Sequence, residues 1–564
     1  PIALASVMIQ EKTSKDLITG VTTEMDGTFK LETNAVDFDI KISFIGLNNK
    51  TISDYSINGG KVDLGTIVLE EDITSEQQLS LVTITENDLG DDNSGSESTS
   101  GLLQASRDTY QQAAAFNWGQ ARFRIRGLDN AYGRTMINGI SMNKIYDGRP
   151  QWSNWGGLND VVRNQELSTG LAPSNYNFGG ILGTTNFKTR ASEYRPGGKV
   201  SFASANKSYT GRVMATYATG FNKNNWAFVV SGSRRYAQEG YLEGTSYNAW
   251  AAFIAAEKKL NSNHSVNITA ITSFNRRGKS SPNTQEVYDL KGLQYNAYWG
   301  NQEGDSRNSR IKEIFEPLVM FSHFYEKETT TLKTTLAYQF GHIGNSRLGY
   351  FNAPNPDPTY WKYLPSSFLR FEDNLDYANA YLTEQEFLKN GQLNWQELYQ
   401  KNADNGNSLY YLYEDRNDDK QLSLNSVLAR EINENITLNL GFSYRDLTSK
   451  NYANMLDLLG GSHYNDIDQY NDTQNALNAS SVINKGDKFQ YNYNLTAETY
   501  DIFTQLQFSY DKVDFYLAGN ASNTSYQREG LYQNELYLNN SYGKGEKINF
   551  DNGSVKGGFT YKIS

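Results

Sequence analysis

With four histidines and no cysteine in 564 residues, this chain has few groups capable of nucleophilic or metal-centred chemistry. Without a thiol there is no thiolate nucleophile, no disulfide framework and no zinc ribbon. His264, His323, His342 and His463 are scattered over strand-like and loop-like segments, without the i,i+4 spacing that puts two imidazoles on one metal, so neither a metal nor a catalytic site is expected. No G-x-S-x-G elbow occurs either. Asp415, Asn417 and Asp419 in "DRNDDKQ" have the spacing of a calcium loop. The sixth position is Lys420 where glycine is needed, and the twelfth is Ser426 where a glutamate should close the site. A solvated acidic loop is the main reading there and a loop-stabilising calcium the lesser one. The same holds for Asp466, Asp468 and Asp472 in "HYNDIDQYND". No enzyme is expected, and no cofactor beyond that loop calcium.

Binding chemistry is more plausible than catalysis. "YDGRPQWSNWGG" gathers Tyr146, Arg149, Trp152 and Trp155, and flat aromatic rings beside a guanidinium suit a sugar, a peptide or a chelate. The competing expectation is that both tryptophans pack into a local core.

The elements that would hold these residues are β-strands. The chain has 39 Tyr, 27 Phe and 8 Trp against 10 Pro, and its mean hydropathy is -0.64. No apolar run approaches the roughly 20 residues of a membrane helix. Such composition fits a large soluble β protein or an outer-membrane barrel, whose strands face lipid with alternate residues only. The formal net charge of -11 opposes a nucleic-acid partner, because neutralising phosphates needs clustered Lys and Arg. The chain opens mid-pattern with "PIALASVMIQ" and lacks an initiating Met, so its N-terminus reads as incomplete or processed and the missing secretory signal carries no weight.

Residues 1–72 alternate apolar and polar with turn punctuation, including Asp26-Gly27 between Met25 and Phe29, and predict a small β-sandwich. Residues 73–99 contain "LSLVTITEND" followed by the acidic, serine-rich "ENDLGDDNSGSESTSG". A β-prone segment beside a tether that cannot bury apolar area is suited to strand addition by a partner, or to an edge strand of a neighbouring domain. Residues 100–190 hold "ARFRIRG", in which Arg122, Arg124 and Arg126 would share one strand face, and "RTMINGISMN", in which Asn138-Gly139 spells a type I′ hairpin. In "NFGGILGTTNFKTR", Gly179, Gly180 and Gly183 mark bends or close backbone approaches.

Residues 191–564 read as long strands with connections of alternating length. Turns near 222–225, 261–263, 326–329, 432–435 and 510–512 are short, whereas 275–312, 343–420, 447–499 and 521–552 are long. An up-and-down transmembrane barrel has this rhythm, with tight periplasmic turns and large extracellular loops. A propeller or solenoid would repeat at a fixed period, and none is present.

These residues resemble a TonB-dependent outer-membrane receptor with an N-terminal carboxypeptidase regulatory-like domain. "RIRGLDNAYGRTMINGISMN" is similar to that family's plug motif, carried here by Arg124, Arg126, Gly127, Asn138 and Gly139. "FGGILGTTNFKT", with Gly180 and Gly183, is similar to the motif that closes the plug. Glu24, Asp26, Gly27 and Phe29 resemble the regulatory-like domain's "TDxDGxF" turn.

The resemblance implies an all-β membrane protein: a transmembrane antiparallel barrel, of which this chain covers about half, an internal plug and the small β-sandwich. It implies a barrel of about 22 strands, of which about twelve are countable here. It also places a TonB box at Leu81, Val82, Thr83, Ile84 and Thr85. The partners implied are outer-membrane lipid and the TonB-type energy-transducing complex. A surface lipoprotein or other outer-membrane complex subunits stand as further candidates. "LVTITENDLG", however, does not match the "VVVTGYG"-like stretch usual in glycan importers with a lipoprotein lid.

The function expected is energised import of a ligand across the outer membrane. The alternative is a non-transporting barrel subunit of an outer-membrane secretion or assembly complex. An outer-membrane hydrolase has no catalytic constellation to stand on. Arginines on one face of the plug would suit a domain that must slide past a polar wall, because exposed ion pairs contribute only about 0 to 1 kcal/mol each and exchange readily.

Overall fold

The computed structural model describes residues 5–11, 17–24, 26–34, 38–44, 47–53, 63–69, 81–84, 128–205, 208–370, 375–468 and 472–563. The chain divides into two compact units, Pro1–Val82 with Thr560–Ser564, and Thr83–Phe559.

In the first unit, β1 (Ser6–Glu11), β2 (Leu17–Thr22), β3 (Phe38–Phe44) and β4 (Leu47–Ile52) form an antiparallel sheet in the order β2-β1-β3-β4. Period-2 alternation places Val7 and Ile9 of β1 on the same face as Ile40 and Ile42 of β3, where Phe29, Leu31, Leu64 and Ile67 pack on them. The Asp26-Gly27 turn forms as its residues predict. The Asp26 carboxylate accepts from the Thr28 amide at 3.0 Å and from its hydroxyl at 2.7 Å, and Gly27 takes φ +80°.

A five-stranded sheet follows, in the order β5-β8-β9-β6-β7, built from β5 (Leu81–Ile84), β6 (Arg134–Ile137), β7 (Ile140–Ser141), β8 (Gln165–Ser168) and β9 (Thr184–Phe187). The remaining strands build the large sheet. Along the chain they begin with β10 (Gly197–Ser204), β11 (Gly211–Ala218), β12 (Trp226–Ala237), β13 (Tyr247–Lys259) and β14 (His264–Gly278). A separate hairpin, β15 (Trp299–Gln302) and β16 (Asp305–Asn308), precedes β17 (Ile311–Phe315), β18 (Leu318–Lys327), β19 (Thr330–Tyr350), β20 (Tyr410–Asn433) and β21 (Ile436–Asp457). A second small hairpin, β22 (Tyr464–Asn465) with β23 (Val482–Ile483), lies before β24 (Lys488–Ser509), β25 (Val513–Gly530), β26 (Gly543–Lys544) and β27 (Ile548–Tyr561). The large sheet has 14 strands and does not close on itself: β10 is one edge, and β26 and β27, both paired with β25, form the other.

The polarity of this sheet is inverted relative to a soluble one. On β12 the large residues Trp226, Phe228, Val230 and Tyr236 face outward, while Ala227, Val229, Ser231 and Ser233 are buried. The same outer band runs through Ile254, Ile268, Phe321, Leu336, Leu440, Ile502 and Leu517. A continuous exposed apolar band of this extent is a lipid-facing surface. The inner face carries Ser, Asn, Thr and Gln, as on β14, where Ser265, Asn267, Thr269, Ser273 and Asn275 are buried.

The short turns fall where the pattern places them, between β11 and β12, β13 and β14, β18 and β19, β20 and β21, and β24 and β25. The long connections are shorter than the sequence suggests, because β19, β20, β21 and β24 run for 21, 24, 22 and 22 residues. "DRNDDKQ" is therefore not a loop: it lies inside β20. Beyond the lipid band both faces of a strand are wet, and the apolar alternation that marks a strand disappears.

The long connections carry their own cores. Trp395 is fully enclosed, with its indole N–H donating to the Arg307 carbonyl at 3.0 Å. Asn402, on the helix Trp395–Asn405, ties three segments together. Its amide donates to the carbonyls of Tyr410, Leu458 and Leu459 at 2.7, 3.0 and 3.0 Å, and its oxygen accepts from the amides of Leu409 and Tyr410 at 2.8 and 3.0 Å.

Candidate functional site

The small sheet lies against the inner face of the large one. The Asn138-Gly139 turn adopts the two positive φ values of a type I′ turn, 48° and 82°. The Asn138 amide donates to the Thr189 hydroxyl at 2.7 Å, and its oxygen accepts from the Thr189 amide at 2.8 Å. A Cβ on Gly139 would stand 3.0 Å from Asn425 Oδ1 on β20 of the wall. Gly180 and Gly183 form a bridge with each other, and a Cβ on either would overlap a backbone carbonyl, that of Tyr132 or of Ser168. Close approach is thus what these glycines serve. Arg122, Arg124, Arg126 and Gly127 lie outside the described residues.

Part of the contact with the wall is apolar. Ile137, Ile140, Met142, Trp155, Leu158, Val161 and Phe187 share one core with wall residues Ala218, Ala227, Val229, Ala251, Phe253 and Ala255. Small alanines on the wall leave room for large side chains on the inserted domain.

The loop Lys144–Gly157 follows β7 and runs to a contact with the wall at Arg235. Its four candidate ligand-binding residues do not share one fate. Trp155 is 5% exposed in the core, whereas Trp152 is 45% exposed and meets Trp155 edge-on at 5.5 Å. Tyr146 is partly exposed, and Arg149 is held in a fork by Asp129, with Nε–Oδ1 at 3.0 Å and Nη2–Oδ2 at 2.7 Å. Gly157, at φ +87°, lets the loop end against the wall, where a Cβ would come within 2.9 Å of Arg235 Nε.

Sequence reasoning missed the strongest polar contact. Lys144 is buried between two wall carboxylates, bonded to Glu316 and to Asp419 Oδ2 at 3.0 Å, and Asn154 Nδ2 donates to the other Glu316 oxygen at 2.9 Å. Burial opposes the ammonium charge, but Glu316 and Asp419 outweigh it and raise its pKa. Glu316 faces inward by the same period-2 alternation that buries Ile314, Leu318 and Met320.

A second charged anchor is Arg190, whose Nε donates to Glu257 at 2.8 Å and whose Nη1 donates to Glu326 at 2.7 Å. Alternation in "AWAAFIAAEKKL" does put Glu257 on the face of Phe253 and Ala255, so that signal was available.

Two readings need correction. His264 and His323 are not isolated: the pairing of β14 with β18 brings Nδ1 and Nε2 to 3.0 Å. His342 meets Glu313 at 3.1 Å. Pairing of strands distant in sequence creates these neighbours, which spacing along the chain does not reveal. Asp415, Asn417 and Asp419 all take part in side-chain contacts on β20: Asp415 with Arg347 and Tyr491, Asn417 with Asn451, and Asp419 with Lys144. Asp466 is buried in the loop before β24, where it accepts from the Gln490 amide at 3.2 Å, and burial raises its pKa to about 6. Among the described residues no group of three or more potential ligands is placed to hold a metal ion.

Leu81–Ile84 forms the edge strand β5, next to β8; Thr85 lies outside the described residues.

No family model and no curated protein matches the sequence. Solved structures do match. The unliganded ferric citrate transporter FecA aligns with 78% of this chain and 54% of its own, at 8% identity and a TM-score of 0.49. The ferric-catecholate import receptor Fiu of E. coli aligns with 78% and 62%, at 12% identity and 0.47. The ferripyoverdine receptor of the outer membrane of Pseudomonas aeruginosa, bound to ferripyoverdine, aligns with 76% and 48%, at 12% identity and 0.45. The chain spans about half the length of these proteins, and the likeness is one of fold alone.

Proposed function

We propose that this chain is the plug and part of the barrel of an outer-membrane receptor that imports a ligand in an energised step, with Leu81–Thr85 gripped by a TonB-type transducer in the periplasm. The observation that carries this reading is a distinct small sheet set against the inner face of a lipid-facing sheet and tied to it by discrete charged anchors. Lys144 and Arg190 each reach two carboxylates of the wall, and such anchors can be broken and remade as units. The β5 strand supports the reading as well, since an edge strand offers its backbone for pairing with another chain.

The test is Val82→Pro, which removes one backbone donor from that edge. Growth that depends on the protein should be lost while the β-sheet spectrum and membrane assembly of the variant stay unchanged. Unaltered growth would favour the second reading, a non-transporting subunit of an outer-membrane complex. The loops knotted around Asn402 suit that alternative, because they present a fixed surface to a partner.

A further inference from the structure

Two imidazoles meet on the outer face of the large sheet. On β14 the alternation that buries Ser265, Asn267 and Thr269 turns His264, Val266 and Ile268 outward. On β18 Ser322 and Phe324 are buried, and His323 shares the outward side with Val319 and Phe321. Antiparallel pairing sets His264 opposite Tyr325 and Val266 opposite His323, so the two histidines are diagonal neighbours on adjacent strands. Their Nδ1 and Nε2 atoms stand 3.0 Å apart, with ring centroids 5.3 Å apart and planes inclined by 23°.

The pair lies at the rim that carries the short turns. His264 opens β14 and His323 stands near the end of β18 at Lys327, while Ile268 and Phe321 face lipid further along the same strands. The backbone beneath it is fixed. Asn261 Oδ1 accepts from the His264 amide at 2.9 Å, the His264 carbonyl accepts from the Leu260 amide at 2.8 Å, and His323 belongs to eight consecutive pairs between β14 and β18. The Tyr325 ring packs beside His264, with centroids 4.8 Å apart, and limits the swing of that imidazole.

Two neutral ring nitrogens at this separation repel unless one carries a hydrogen that the other accepts. A metal cation fulfils the same role by accepting a lone pair from each. With metal–nitrogen bonds of about 2.0 Å, donors 3.0 Å apart subtend about 97° at the metal. That angle is nearer the roughly 90° of a tetragonal site than the roughly 109° of a tetrahedral one, and tetragonal nitrogen sites favour Cu(II) and Ni(II) over Zn(II).

We infer that His264 and His323 form a two-histidine site for a divalent transition metal, Cu(II) foremost, on the outer rim of the sheet. The proton between the rings moves to the far nitrogen of the ring that holds it, so both facing nitrogens present lone pairs and no net proton is lost. Among the described residues no group of three potential ligands gathers there, so water fills the remaining positions of the metal. The site is on the face of the sheet opposite the inserted domain and does not depend on the import reading.

The test titrates Cu(II), Ni(II), Zn(II) and Ca(II) into the full detergent-extracted protein, with calorimetry for affinity and electron paramagnetic resonance for the copper ligands. The wild type should bind Cu(II) at one saturable site with two nitrogen donors, Ni(II) and Zn(II) more weakly, and Ca(II) not at all. His264→Gln and His323→Gln should each lose at least tenfold in copper affinity, and the double variant should lose little more, because the two donors act as one chelate. His463→Gln, remote from the pair, should bind like the wild type.

The resonance spectrum reads the wild type alone, so the inference stays testable even where a variant fails to assemble. A wild type without a saturable copper site, a spectrum with fewer than two nitrogen donors, or calcium bound as tightly as copper would overturn it. Single variants within tenfold of the wild type would do the same, since they would leave the 3.0 Å contact a hydrogen bond and nothing more.

Discussion

Replacing Lys144 with Met tests whether the inserted domain is anchored by buried charge. Among the described residues the ammonium is the only basic group bonded to Glu316 and Asp419, and both carboxylates are almost fully buried. Removing one member of a buried pair leaves the other uncompensated, at a cost of about 3–5 kcal/mol. Asn154 still donates to Glu316 and softens the loss there, whereas Asp419 Oδ1 has no bond in the native arrangement and gains none. The lower part of that range therefore applies to Glu316 and the upper part to Asp419.

Exposure of the inserted domain can be followed by proteolysis within residues 128–190 during a urea titration of the full protein. With a slope of about 1–3 kcal/mol per molar urea, the midpoint should fall by roughly 1–5 M. Adding Glu316→Gln and Asp419→Asn to Lys144→Met should recover most of the loss, because no charge remains to be stranded. A midpoint unmoved by Lys144→Met, or a triple variant as weak as the single one, would refute the anchoring argument.

Gly183→Ala should destabilise the inserted domain by about 1–3 kcal/mol, since it combines a φ of +87° with overlap of the Ser168 carbonyl; the urea-proteolysis assay reads the loss, and wild-type behaviour would contradict it. Asn402→Leu removes all five hydrogen bonds of its side chain and should open residues 395–410 and 458–459 to protease without changing the β-sheet spectrum. Asp466 is an acid whose pKa is higher folded than unfolded, so its burial penalty is incurred as pH rises from about 4 to 6 and is complete above that. Hydrogen exchange of the amides around Tyr464 and Ile483, corrected for intrinsic rates, should therefore be slower at pH 5 than at pH 7, and Asp466→Asn should abolish the difference.

What the chain discloses before folding is whatever depends on neighbours in sequence. Asn138-Gly139 and Asp26-Gly27 form the turns their residue types demand, and the short connections lie where breaks in period-2 alternation place them. Gly180 and Gly183 likewise mark the close approaches expected of them. Contacts that depend on strand register are not visible in this way. Lys144 is 172 residues from Glu316 and 275 from Asp419, and only the curvature and pairing of the sheet bring them together. His264 and His323 met for the same reason. Trp152 and Trp155 stand in one short loop, yet the tertiary core takes Trp155 and leaves Trp152 outside, a division that local pattern does not decide.

The length of β20 has a consequence for reach. Its outward apolar stretch runs from Leu422 to Leu428, while Glu414, Arg416, Asp418 and Lys420 occupy the outward positions above it. The segment from Tyr410 to Lys420 therefore stands clear of the hydrocarbon, about 33 Å of strand, and at a tilt of about 40° it rises roughly 25 Å. The layer built around Trp395 and Asn402 is carried at that altitude on a stiff hydrogen-bonded stalk, like a platform above a canopy. A ligand too bulky to filter down to the bilayer could first be met there.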